Sequence, residues 1–345
     1  MTPQIYNASN LPSRTINIDG QSYLWFSGTS YLGMPHQADF QQNIIEAIGQ
    51  YGLSWGSSRN NTVRLAVYEK AENALAHFLG AEAALTVSSG MMAGQLVVQY
   101  YKQMGFTPFY APKTHPALWH LPQMDMSGNH QDWEAQIVSQ IEDSSAQNIV
   151  IFSDAVASPF VQNFSFDWLN HLPKNKNIVV VIDASHSLGI RALPMSNLEN
   201  VKTIVSSSLN KAMGMAGGIV LSDNETINQL KAMPFFGGAS PMMPALLGAF
   251  LKSEAIFSRQ KERLLSNIRY FNKQIGATFL SHFTDYPGYC TYQEGFHQYL
   301  KSGGVMSACF AYPTAQDLPV TRLSISSLHT QNDLDTLAQL CNSRT

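Results

Sequence analysis

Three features that often reveal a protein's compartment or partners are scarce in this chain of 345 residues. Cysteine occurs only at Cys290, Cys309 and Cys341. So few, so dispersed and odd in number, they exclude a disulfide framework and a cysteine-based zinc cluster, and they suit a reducing compartment. An excess of charge of one sign is also missing, with 21 Lys+Arg against 24 Asp+Glu and a pI near 6.3. That balance gives no basic stripe for nucleic acid and no polybasic patch for a membrane surface. No apolar run approaches the ~18 residues that a membrane helix requires, and the opening Met1-Thr-Pro-Gln-Ile-Tyr lacks a charged-then-apolar leader. No internal repeat or low-complexity tract interrupts the chain. The expectation is a cytoplasmic protein that binds neither nucleic acid nor membrane and has no metal site. At this length, roughly two domains are expected, burying ~75 % of the unfolded surface.

Helical and strand-like segments alternate in the manner of an α/β sheet with crossover helices. Asn177-Ile-Val-Val-Val-Ile-Asp183 is a continuous β-branched run, as expected of a strand buried on both faces of a parallel sheet. Asn148–Phe152, Thr203–Ser207 and Ala83–Val87 read the same way, and Gln21–Ser27 reads as an early strand. Tyr68–Leu79 has helical apolar spacing, and a helix begins or continues over Gly94–Lys102. After Met233-Pro-Phe-Phe-Gly-Gly-Ala-Ser-Pro241 the pattern changes to a long helical stretch from about Pro244 to Ile275, followed by a strand-and-helix tail. The implied domains are an N-terminal segment, 1–33, packing with the small domain, a large domain, 34–235, and a small C-terminal domain, 236–345.

The most informative residue is Lys211, in Ser208-Leu-Asn-Lys-Ala-Met-Gly-Met-Ala-Gly-Gly218. Taken alone, a lysine in a Gly-rich loop is a solvated surface residue. Its company changes that reading. Asp183 closes one buried strand and the Thr203–Ser207 strand leads directly to Lys211, so both emerge at strand ends, where open α/β sheets bind ligands. An amine among small residues suits a Schiff base with an aldehyde cofactor. A carboxylate suits the protonated nitrogen of a pyridine ring that acts as an electron sink. Ser89 and Gly90, in Thr86-Val-Ser-Ser-Gly-Met-Met-Ala93, fall between a strand and a helix, where free amides and the helix dipole attract phosphate. Without Lys211 and Asp183, they read rather as an N-cap. His115, before Pro-Ala-Leu, suits an imidazole laid over an aromatic ring, although a lone histidine is more often a surface or hydrogen-bonded loop residue.

In order and spacing, this set resembles the α-oxoamine synthase family of fold-type-I pyridoxal-phosphate enzymes. The likeness runs from Phe26-Ser-Gly-Thr-Ser-Tyr-Leu-Gly33 through Tyr51-Gly-Leu-Ser-Trp-Gly-Ser-Ser-Arg59 to Arg322-Leu-Ser-Ile-Ser-Ser-Leu-His-Thr330. Its most specific part is the Asp-x-x-His element followed by Lys-Ala-x-Gly and a trailing Gly-Gly. The resemblance implies an α/β, aspartate-aminotransferase-like fold, with a mostly parallel central sheet and a smaller α+β C-terminal domain. It implies pyridoxal 5'-phosphate held by Lys211 as a Schiff base, Asp183 on the pyridine nitrogen, and His186 and Ser158 near the phenolic oxygen. His115 would stack on the ring face, and Ser89, Gly90, Met91 and Ser208 would hold the phosphate. Ser240 would reach the phosphate of a second subunit, making a homodimer with shared sites. Arg322 would bind the amino-acid carboxylate.

The activity implied is condensation of an amino acid with an acyl thioester, carried on coenzyme A or a carrier protein, with loss of carbon dioxide. Another activity on the same scaffold, such as an aminotransferase or an aldolase/lyase, remains open. Thr29 stands where the family has an asparagine near the substrate carboxylate. Phe310-Ala-Tyr-Pro-Thr314 lacks the arginine found in members that take a pimeloyl-type donor. Neither departure touches the chemistry of the ring.

Overall fold

The computed structural model describes residues 5–124, 127–193, 201–276, 279–312 and 317–344. The chain forms two compact units. The larger comprises Asp39–Ala157 and Asn163–Glu254, and the smaller Met1–Ala38, Ser158–Gln162 and Ala255–Thr345.

The larger unit is built on a six-stranded sheet. In space its strands run Ala83–Val87, Gly218–Ser222, Val201–Ser208, Asn177–Asp183, Asn148–Asp154 and Thr107–Tyr110. The last four pair in parallel, and Gly218–Ser222 runs antiparallel to both of its neighbours. The apolar runs at 148–154 and 177–183 are buried along their whole length except for the first residue, as a sheet covered on both faces requires. The helix Gly90–Gln103 covers one face. Its Ala93, Leu96, Val97 and Tyr101 share a core with Leu85, Phe152, Val181, Ile204 and Val220. At about 1.5–3 kcal/mol for each large apolar side chain buried, that face is a principal source of the unit's stability.

The helical stretch expected from 244 to 275 divides in two, Pro244–Phe250 and Glu254–Gln274. The break falls at Ser253, which is fully buried. Its hydroxyl donates back to the Ala249 carbonyl (2.7 Å) and accepts from Asn43 Nδ2 (2.9 Å). Such back-bonding offers the chain an alternative to continuing the helix. The change of pattern after Phe236 lies inside the larger unit, and the chain passes to the smaller one at Ala255. Pro244–Phe250 stays with the larger unit because Phe250 packs edge-on to Phe78 (5.7 Å) and the Met242 carbonyl accepts from the Tyr68 hydroxyl (2.7 Å).

The smaller unit holds two three-stranded sheets. One is antiparallel, in the order Gly288–Thr291, Pro319–Ser324, Ala308–Ala311. The other joins the hairpin of Thr15–Ile18 and Gln21–Trp25 to Val305–Met306. That hairpin turns at Asp19-Gly20, both with positive φ (51° and 81°), the Asp-Gly pair that a two-residue primed turn selects. The C-terminal helix Gln331–Asn342 starts with a capping box between Thr330 and Asp333, and Arg14 adds an ion pair to Asp333 at 2.7 Å. Among the described residues, no helix is long and apolar enough to cross a membrane.

Candidate active site

The parallel register sets a row of polar residues at one edge of the large sheet. Asp154 pairs with Asp183, and Asp183 with Ser206, across adjacent strands. The antiparallel partner brings Gly218 opposite Ser208 on one side and opposite Val87 on the other. The segments carrying Asp154, Asp183, Ser208 and the Ser89-Gly90 turn therefore end side by side.

The turn is packed too closely to admit a side chain. A Cβ on Gly90 would lie 2.7 Å from the Ser208 Cβ, and one on Gly218 would lie 2.1 Å from the Ser89 carbonyl oxygen. Glycine is required here by close backbone approach. Ser89 caps the helix Gly90–Gln103 through a bond from the Met92 N–H to its hydroxyl (3.1 Å), and the start of that helix lies against Ser208. Met91 is exposed, so only its main chain is placed to serve as a donor.

Lys211 and Asp183 occupy two linked turns. The Asp183 carboxylate accepts the Ser185 N–H at 2.7 Å, and the Ser185 hydroxyl accepts the Ser208 N–H at 2.9 Å. The Lys211 turn closes through Gly214 N–H to the Lys211 carbonyl (3.1 Å) and Met215 N–H to the Leu209 carbonyl (3.0 Å). The two turns also touch: Gly189, at φ 77°, leaves its Cβ position 2.8 Å from Met213 Sδ. His186 lies partly buried in the first turn.

His115 lies 3.9 Å from Asp183, Nδ1 to Oδ2. Its Nδ1 accepts the Ala117 N–H (3.1 Å), which identifies the neutral tautomer protonated on Nε2. Burial lowers the imidazole below its ordinary range. The nearby Lys211 cation adds to that effect, while the Asp183 carboxylate opposes it. Asp154, only 8 % exposed, accepts the His115 main-chain N–H on Oδ1 at 3.0 Å. Burial first, and then the Asp183 charge, raise its carboxyl well above the usual carboxylate range.

Arg322 and Ser158 belong to the smaller unit, where Arg322 Nη1 donates to the Ser158 hydroxyl at 3.1 Å. The guanidinium lies 5.8 Å from the Phe310 ring. Its Nε is buried without an acceptor, and among the described residues no carboxylate pairs with it. A cation left in this state is prepared for an anionic ligand. Thr29, also in the smaller unit, accepts the Tyr31 N–H on its carbonyl (2.8 Å). Ser240 is exposed in the larger unit. Of the Phe310–Thr314 segment, residues 313 and 314 lie outside the described residues.

Asp154 and Ser185 were not singled out from the sequence. The signal for Asp154 was present: Asn148–Asp154, like Asn177–Asp183, is an apolar run closed by an aspartate.

The larger unit's set fits a phosphorylated pyridine aldehyde: a glycine cradle at a helix start, a carboxylate at a strand end, an imidazole beside it and an amine in the next turn. Fold and site together define a fold-type-I, pyridoxal-phosphate-dependent transferase. The sequence matches the family model "Aminotransferase class I and II" over residues 23–340. It is 26 % identical to the 8-amino-7-oxononanoate synthase of Petrotoga mobilis, over 93 % of this chain and 88 % of that protein. It is also 26 % identical to the enzyme of the same name from Thermoanaerobacter pseudethanolicus, over 92 % and 86 %. Among solved structures, serine palmitoyltransferase from Sphingomonas wittichii superposes with a TM-score of 0.81 at 15 % identity, over 98 % of this chain and 91 % of that one. 8-Amino-7-oxononanoate synthase from Francisella tularensis gives 0.71 at 19 %, over 93 % and 97 %. These two likenesses establish the fold. The chain belongs to the class I and II aminotransferase family.

Proposed function

We propose that this protein is a pyridoxal-phosphate-dependent acyltransferase that joins the α-carbon of an amino acid to the acyl group of a thioester, with loss of carbon dioxide. The observation that carries the reading is the strand-end cluster, in which Asp183, His115 and the Lys211 turn come together beside the Ser89-Gly90 turn. The full-length relatives named as oxononanoate synthases support acyl transfer over other uses of that cluster.

When bound, pyridoxal phosphate supplies an electron sink for the pair left on the α-carbon as its proton departs. In this reading Lys211 would hold the cofactor through its Nζ, and the same Nζ, when free, would take the α-proton of the substrate. Asp183 keeps the ring nitrogen protonated. His115, neutral through its Nδ1 bond, covers one ring face and presents Nε2–H to the incoming carbonyl oxygen. The amides at Ser89, Gly90 and Met91 and the Ser208 hydroxyl hold the phosphate. His186 and Ser158 steady the phenolic oxygen, and Arg322 binds the substrate carboxylate through both of its oxygens.

The same reading makes the protein a cytoplasmic homodimer in which Ser240 serves the phosphate site of the other subunit. Three unpaired cysteines are consistent with that compartment. Thr29, in place of the family's asparagine, favours a second possibility, an aminotransferase or aldolase/lyase on the same site. A panel of amino acids against acyl-coenzyme A and acyl-carrier-protein donors separates the two. Free thiol released in proportion to amino acid consumed is expected. Amino-group transfer or aldol cleavage without thiol would reject acyl transfer.

A further inference from the structure

Asp154 has no part in the reaction outlined above, yet it is buried at the same strand edge and bonded to the loop that carries His115. That loop is fastened to the end of the Asn148–Asp154 strand at three points. The Ala111 N–H donates to the Phe152 carbonyl (2.9 Å), the Thr114 hydroxyl donates to the same carbonyl (3.3 Å), and the His115 N–H donates to Asp154 Oδ1 (3.0 Å). The first two hold residues that precede the histidine. Only the third holds His115 itself, and it is the only one made to a side chain of the strand. The same residue faces Asp183 across the parallel register, and the Ala155 N–H that follows it donates to the Asp183 carbonyl (2.8 Å).

We propose that Asp154 is a positioning residue, tying the His115 loop to the strand end of Asp183 and thereby setting both groups that meet the cofactor ring. The inference rests on the functional reading above. The groups facing the Asp154 carboxyl are Asp183 from the neighbouring strand, His115 from the loop and Lys211 from the turn beyond. Burial and the neighbouring Asp183 raise the Asp154 carboxyl well above the usual carboxylate range. Its Oδ1 accepts the His115 N–H. An asparagine has the same shape and the same acceptor. An alanine leaves the His115 N–H without its acceptor.

The test is retitration of cofactor-stripped protein with pyridoxal phosphate, combined with hydrogen exchange of the 112–118 segment. Asp154→Asn is expected to keep the wild-type dissociation constant within about twofold, whereas Asp154→Ala raises it about tenfold and speeds exchange at 112–118 by a similar factor. A purely structural aspartate would lower the melting temperature of Asp154→Ala while leaving the affinity of the folded fraction at the wild-type value. That outcome overturns the proposal. If Asp154→Ala does not fold, Asp154→Asn decides: wild-type affinity supports the proposal, and a loss of about tenfold overturns it. Wild-type protein that binds no pyridoxal phosphate would overturn the functional reading and this inference together.

Discussion

Two histidines, one in each unit, are both held neutral, but they are held differently. In the smaller unit the His329 ring is almost fully buried and stacks on Phe26 at 4.0 Å. Both of its nitrogens are used: Nδ1 accepts the Ser326 N–H (3.0 Å) and Nε2–H donates to the Trp25 carbonyl (2.9 Å). Burial pushes its pKa down to about 4. In the larger unit the His115 side chain is half exposed, with Nδ1 bonded to its own turn and Nε2 without a protein partner among the described residues. A ring with both nitrogens taken fastens chain to chain. A ring with one nitrogen open is set for a ligand.

The largest effects are expected at the larger unit's cluster. Lys211→Ala is expected to abolish covalent retention of the cofactor after borohydride reduction and to lower turnover by on the order of 10⁴-fold. Peptide mapping of the reduced protein checks this, and a label on another lysine would move the site. Asp183→Asn comes next. It should slow α-proton exchange by on the order of 10²–10³-fold while leaving phosphate anchoring largely intact, because a neutral amide cannot sustain the ring's charge. Equal exchange rates, measured by deuterium wash-out, would remove Asp183 from that role.

A smaller effect is expected from His329, and on stability rather than rate. Its folded pKa lies near 4, below the unfolded value of about 6.5, so the unfolded state binds more protons between those limits. Stability is therefore lost as pH falls from about 6.5 toward 4, by about 3 kcal/mol for this group. Thermal melts across that range should show a shallower acid slope in His329→Leu, and a smaller change of the same sign in His115→Asn, whose imidazole is lowered less. An equal change of slope in both would erase the distinction between the two rings.

The smallest effect separates the two units by substrate. Arg322→Lys should raise KM for the amino acid about tenfold, with kcat and cofactor affinity little changed, because an ammonium cannot bind both carboxylate oxygens at once. Loss of cofactor affinity instead would assign Arg322 to the ring.

Much of the larger unit was legible in the sequence because its signals are short-range. A buried parallel strand shows as an uninterrupted β-branched run, so Asn177–Asp183 is read to the residue. The glycines around Ser89 and Lys211 stand beside the residues they serve. The smaller unit was harder to read. Arg14 meets Asp333 at a separation of 319 residues and His329 meets Trp25 at 304, and no local pattern announces either contact. The break at Ser253 was missed because an apolar helical pattern continues across it, and only burial turns that hydroxyl back on its own helix.

Chain order alone offers the candidates: an amine, a carboxylate and an imidazole near the ends of strands, and a guanidinium within one. Tertiary structure alone decided their states. Register puts Asp154 opposite Asp183, and burial together with that neighbour raises the Asp154 carboxyl. The Ala117 amide selects the His115 tautomer, and packing in the smaller unit leaves Arg322 Nε buried without an acceptor. Charge state depends on which groups are close and how much water is excluded, and both follow from distances that chain order does not encode locally.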